Sequence, residues 1–176
     1  RVVSEYVQNS ATGLSLYFVP TSLTNEDNIL LTKDLVGKII SILSHHFDII
    51  IIDTGDDLRE HNVEALKMAH EVFFIIPMGV DEIDAAYQFV SQDIPKINIP
   101  LEKIKLILTN VPDKKRKEAM DAAAKTMLPL FGILPEEPTL RAVRREKTLV
   151  GESLLETSYG LSVQKIMKQV VPIAEE

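Results

Sequence analysis

The residue with the clearest chemical potential is a carboxylate at the end of a wholly apolar run. Phe47-Asp48-Ile49-Ile50-Ile51-Ile52-Asp53 sets four consecutive isoleucines between two aspartates, and Gly55 follows. A strand of this kind would carry Asp53 on a rigid element to a magnesium ion held mainly by phosphates and water. Gly55 would let backbone N–H groups approach a terminal phosphate closely. The same aspartate could equally do no more than cap the helix that follows. Asp56 and Asp57 read as further caps or as exposed turn residues.

Asn110 is the second candidate, at the end of the apolar run Ile104-Lys105-Leu106-Ile107-Leu108-Thr109. A side-chain amide donates and accepts at once, so it can read the hydrogen-bonding edge of a purine. Its plainer role is that of a turn residue before Val111-Pro112. Pro135-Glu136-Glu137-Pro138 carries the same ambiguity, as a loop flanking a base or as the entry to a helix. None of His45, His46, His61 and His70 lies at ligand spacing beside the aspartates, and all read as solvated or packing residues. The basic clusters Lys114 to Lys117 and Arg141, Arg144, Arg145, Lys147 read as solvated helix faces.

The elements that must position these residues alternate in period. Leu14 to Val19 reads as a strand stopped by Pro20, and Leu31 to His45 as an amphipathic helix. Phe47 to Asp53 has the pattern of a central parallel strand, apolar on both faces. Glu64 to Ala69 carries a helix, and Val72 to Ile76 a second buried strand closed by Pro77. A helix over Glu82 to Ser91, a strand over Ile104 to Thr109 and a helix over Lys114 to Met127 follow. Phe131 to Leu134 makes a short strand, and helices over Thr139 to Glu146 and Leu161 to Val171 close the chain. Strands alternating with helices predict a three-layer α/β/α fold with a mostly parallel sheet of about five strands. No repeat or linker divides the 176 residues, so a single α/β domain over 1–176 is expected.

Composition narrows the function. At 45% hydrophobic and 26% charged the chain is globular rather than disordered. With no cysteine it has neither a disulfide framework nor a thiolate metal site, which fits the cytoplasm. Its net charge of −7 argues against a surface that is a nucleic-acid footprint throughout, so direct nucleic-acid binding is not supported. No apolar run approaches the ~20 residues needed to span a bilayer. The acidic, proline-interrupted end from Val170 to Glu176 does not support a membrane-tethering helix. The chain opens on Arg1 without a secretory signal, and the native start is expected elsewhere.

In order, these pieces resemble the MinD/ParA family of deviant-Walker P-loop ATPases, and its MinD-like branch in particular. Leu16 to Thr24 resembles the strand and loop before the family's long helix. Phe47 to Gly55 resembles its Walker B strand and switch turn, Glu71 to Pro77 its next core strand, and Ile107 to Asn110 the strand whose terminal asparagine contacts adenine. Gly132-Ile133-Leu134-Pro135-Glu136-Glu137-Pro138-Thr139-Leu140-Arg141-Ala142 resembles its late signature, whose loop lies against the base. Together they cover roughly Leu14 to Ile166, the C-terminal portion of such a domain. The resemblance implies that Asp53 coordinates magnesium through water, that Gly55 senses the terminal phosphate, that Asn110 recognises adenine, and that Pro135 and Glu136 border it. It implies ATP and Mg2+ as ligands of the intact protein.

The departures are as informative. The sequence has 7 glycines but no G-x-x-x-x-G-K-[ST] string, so it supplies no cradle for the β- and γ-phosphates. Val111 stands where the family's arginine follows the asparagine, and the late glycine is replaced near Lys147. These 176 residues are therefore expected to be inactive alone and to hold no nucleotide by themselves. The leading reading is an ATP-dependent, homodimerising switch that positions or assembles machinery in cell division, partition, conjugation or the building of pili and flagella. The TadZ/CpaE-like pilus-localisation members are a possible branch. Protein partners of such a system follow from that reading. One alternative is a non-catalytic adaptor on the same fold. Another is a receiver-like phosphoacceptor domain, which needs an acidic pair and a lysine that Asp56-Asp57 and Lys114 place poorly.

Overall fold

The computed structural model describes residues 7–9, 15–17, 31–140 and 154–171, the first six as backbone alone. It divides into two compact units, Arg1–Ala65 and Leu66–Glu176.

In the first unit, β1 (Val7–Asn9) pairs antiparallel with β2 (Ser15–Tyr17), Val7 facing Tyr17. β2 falls inside the expected strand, whereas its partner β1 was not foreseen. Helix α1 (Lys33–Leu43) starts where Thr32 takes an extended conformation and its hydroxyl accepts the Leu35 N–H at 3.3 Å. The apolar residues of α1 recur at helical spacing, yet none of them is buried. Helix α2 (Glu60–Met68) begins in this unit and ends in the next.

The run from Phe47 to Asp53 corrects the sequence reading, because it is not a strand. Ile51 is 83% exposed, and Ile49 and Ile52 are exposed as well. An apolar pattern states which surroundings would suit a segment. A strand exists only where a neighbour takes up its N–H and C=O groups. Among the described residues, no neighbour does so for Ile49 to Ile52.

The second unit holds the parallel sheet. β3 (Val72–Pro77), β4 (Ile104–Val111) and β5 (Leu130–Pro135) lie in the order β3-β4-β5, all parallel. Between them run α3 (Val80–Gln88), a π-helical stretch over Phe89–Asp93, α4 (Ile94–Ile97) and α5 (Arg116–Ala123). Asn98, at φ +54°, ends α4 in the left-handed conformation that asparagine tolerates well. Helix α6 (Ser158–Val170) closes the unit.

Alternation along β4 builds the layers. Ile104, Leu106 and Leu108 enter a cluster with Ile83, Val90, Ile94, Ala119 and Ala123 from the helices of one face. Ile107 points the other way and packs with Leu134 and Ile166 of α6. Phe74 stacks on Phe89 in the first cluster, with ring centroids 4.9 Å apart. On the second face, Phe73 meets Phe131 at 5.6 Å, and Lys105 lies over the Phe131 ring while pairing with Glu71 at 2.7 Å. The three-layer α/β/α arrangement expected from sequence is therefore present. Its parallel sheet has three strands among the described residues, where about five were expected. Lys103 donates to the carbonyls of Lys67 (3.0 Å) and Ala69 (2.9 Å), closing the C-terminal end of α2 with a positive charge. The expected helix over Thr139 to Glu146 lies largely outside the described residues, although the backbone is helical at 138–140. No helix among the described residues is long and apolar enough to cross a membrane.

Candidate functional site

Open parallel sheets bind ligands at the carboxyl ends of their strands. At that end of β4 the ladder with β5 breaks register. Leu108 faces Ile133, and the next matched pair is Val111 with Pro135. β4 thus advances three residues while β5 advances two, so one residue of β4 is bulged. Asn110 lies in that bulge at φ +54°. A left-handed residue inside a bulge turns its side chain out of the pleat, and asparagine tolerates the conformation better than almost any residue except glycine. Asn110 is exposed, and its amide has no hydrogen-bond partner among the described residues.

The same break joins two of the other predicted residues, Pro135 and Glu136, to it. The Glu136 N–H donates to the Val111 carbonyl at 3.2 Å, so the loop leaving β5 is tied directly behind Asn110. Pro135 is buried at the end of β5, and Glu136 is exposed beside it. Asn110, Pro135 and Glu136 therefore share one strand-end platform. Thr109 strengthens its neighbour: its hydroxyl donates to the Ile76 carbonyl at 3.4 Å, and its own carbonyl accepts the Met78 N–H at 2.9 Å. Glu137, which sequence reasoning left in an ambiguous turn, locks the exit of the loop. Its carboxylate accepts both the Thr139 hydroxyl (2.6 Å) and the Thr139 N–H (3.1 Å).

Asp53 and Gly55 belong to the first unit. Gly55 takes φ +69°, a left-handed turn that glycine adopts without strain, and its N–H donates to the Asp53 carboxylate at 3.5 Å. Asp53 is exposed and heads no strand, so the rigid delivery expected of it is not built by a ladder. Asp57, not Asp53, organises the entry to α2. It accepts the Arg59 N–H at 3.2 Å and the amide of buried Asn62 at 2.6 Å, and pairs with the Arg59 guanidinium at 3.0 Å. Among the described residues no group of three or more His, Cys, Asp and Glu side chains could hold a metal ion. Asp53 alone fits only the outer coordination of a magnesium ion that phosphates already hold.

Two carboxylates are stabilised in their charged form. The Arg59 N–H holds Asp57 below the usual 3.8, and the Thr139 hydroxyl, then its N–H, holds Glu137 below the usual 4.5. A group depressed on folding contributes stability in full above its ordinary value and loses it as pH falls through the folded value. NMR titration of the carboxyl carbons is expected to give both groups midpoints below those ordinary values. A midpoint at or above them would show that these bonds do not persist in solution.

No family model and no curated protein matches the sequence. Solved structures do match in fold. The MinD cell division protein of Aquifex aeolicus superposes with a TM-score of 0.76 at 14% identity, over 99% of this chain and 71% of that one. A ParA family ATPase from Chlorobium tepidum TLS gives 0.76 at 18%, over 94% and 69%. The septum site-determining protein MinD of Pyrococcus horikoshii OT3, complexed with Mg-ADP, gives 0.70 at 18%, over 96% and 68%. A parallel sheet with helices on both faces, matched over nearly all of this chain, gives the protein the fold of the MinD and ParA ATPases, a P-loop NTPase fold present here in part.

Proposed function

We propose that this chain belongs to a nucleotide-dependent switch of the MinD/ParA kind, working in the cytoplasm within a system that positions or assembles cellular machinery. The observation that carries this is the strand-end platform of Asn110, Pro135 and Glu136, within a fold whose Pyrococcus horikoshii neighbour is complexed with Mg-ADP. Asn110 would pair with the edge of adenine, while Pro135 and Glu136 would border the ring. Asp53 would meet magnesium through water, and Gly55 would lie near the terminal phosphate. ATP and magnesium are the ligands this reading requires. A homodimer and protein partners are the assemblies it requires.

Calorimetry on the longest native polypeptide that contains these residues is expected to show ATP and ADP binding in the presence of magnesium. Absence of binding there overturns the reading. The 176 residues alone contain no G-x-x-x-x-G-K-[ST] string and are expected to hydrolyse no ATP. Turnover abolished by Asp53→Ala would contradict that expectation.

A second reading, a non-catalytic adaptor, draws support from the first unit, where Leu35, Ile42 and Ile51 are all exposed. In this reading that apolar surface would serve for docking a partner. A native polypeptide that binds a partner but no nucleotide would favour it.

A further inference from the structure

Helix α5 packs on the sheet through one side. Ala119 and Ala123 are buried in the core cluster, whereas Arg116, Lys117, Met120 and Ala124 are exposed. Helical spacing puts these four on one continuous side, because positions three and four apart are neighbours. Met120 stands at its centre and is 55% exposed. A second exposed methionine, Met127, follows the end of the helix.

Lys114, Lys115, Arg116 and Lys117 form a run of four cations where α5 begins, just after the bulge that holds Asn110. Local electrostatics oppose that arrangement. The cations repel one another, and the positive end of a helix favours carboxylates instead. Of the four, only Lys115 finds a carboxylate among the described residues, Glu118 at 3.7 Å. The side chains of Lys114, Arg116 and Lys117 contribute no ion pair there.

The surroundings select the chemistry of an occupant. Cations beside an exposed thioether suit carboxylates combined with an apolar side chain, since methionine adapts its shape to what it meets. Asp113, Glu118 and Asp121 stand among the cations, and no aromatic residue lies between Pro112 and Pro129. A phosphate backbone would meet those carboxylates and find no ring on which to stack a base, in a chain whose net charge is −7.

We infer that the exposed side of α5 is a docking surface for an acidic segment of another protein, whose carboxylates meet Lys114 to Lys117 and whose apolar side chain seats on Met120. The surface lies within the second unit and does not rest on nucleotide binding.

Random dodecapeptides displayed on phage and selected on the 176-residue chain are expected to enrich sequences that combine Asp or Glu with Leu, Ile or Phe. A selected peptide, followed by fluorescence anisotropy, should lose about tenfold in affinity with Lys114→Glu/Lys117→Glu and about threefold with Met120→Gln. All three side chains are exposed, so the circular dichroism of both variants should match the parent. The neutral pair Lys114→Gln/Lys117→Gln should fall between the parent and the reversed pair. Amide NMR of the unaltered chain gives an independent readout, with peptide-induced shifts expected to centre on 114–124. Enrichment without acidic residues, affinity indifferent to these variants, or shifts centred elsewhere overturns the inference. Duplex DNA bound more tightly than any selected peptide, and lost with the same lysine changes, also overturns it, because the surface would then serve a nucleic acid.

Discussion

Gly160→Ala is expected to destabilise the second unit by about 1–3 kcal/mol, the usual range for forcing one extra carbon into a closed site. A Cβ at Gly160 would collide with the Leu154 carbonyl oxygen and lie 2.7 Å from the Leu155 Cα. Both are backbone atoms, held by the bonds that start α6. The Thr157 hydroxyl donates to the Leu154 carbonyl at 2.7 Å and accepts the Gly160 N–H at 3.1 Å. The alanine can be fitted only by moving that cap, and with it the helix that places Ile166 on Ile107 and Leu134. Gly132→Ala is the informative contrast. Its Cβ would meet the end of the Ile166 side chain, with Cγ1 at 2.7 Å, and a side chain can turn where a backbone cannot. Urea denaturation should rank Gly160→Ala as the costlier of the two. A neutral Gly160→Ala would show that the cap is more pliable than its hydrogen bonds imply.

Asn110 separates backbone geometry from chemistry in one position. Asn110→Gly keeps the left-handed conformation at φ +54° and removes only the amide. It is expected to fold with stability within about 1 kcal/mol of the parent. Its affinity for adenine nucleotide, measured by calorimetry on the longest native polypeptide, should fall by about tenfold, the upper end for one net hydrogen bond. Asn110→Val should in addition destabilise the fold by about 1–2 kcal/mol, because a β-branched side chain resists the left-handed region. Unchanged adenine affinity in the glycine variant would remove Asn110 from the base-reading role while leaving its structural role in the bulge intact. Loss of stability in the glycine variant would reverse that assignment.

The elements legible in the sequence are those fixed by local pattern. Strict apolar runs gave β3 and β4, and helical periodicity gave α1, α3 and α6 to within a few residues. Thr32 and Thr157 cap their helices with a hydroxyl that local sequence is enough to place. Asn110, Pro135 and Glu136 were also legible as strand-end residues, because the end of a run and the proline that stops it are local features. Their mutual placement was not. It depends on a bulge created by an unequal count of residues along two strands, a relation between segments that no single segment contains.

The Ile49–Ile52 run shows the limit from the other side. Composition fixes its preference for burial on both faces, because β-branched side chains gain most on a packed sheet. Whether it becomes a strand depends on a neighbour with free N–H and C=O groups, and tertiary structure decides whether that neighbour is present. The sequence by itself therefore determined the α/β class, the parallel strands around β4 and the residue types that could face a nucleotide. Tertiary structure decided which of them share a platform, turning Asn110 outward beside Pro135 and Glu136 and leaving Asp53 exposed on a segment without a ladder. The reason is physical: conformational preference is set within a few residues, whereas hydrogen-bond completion and burial are set by partners far along the chain or outside it.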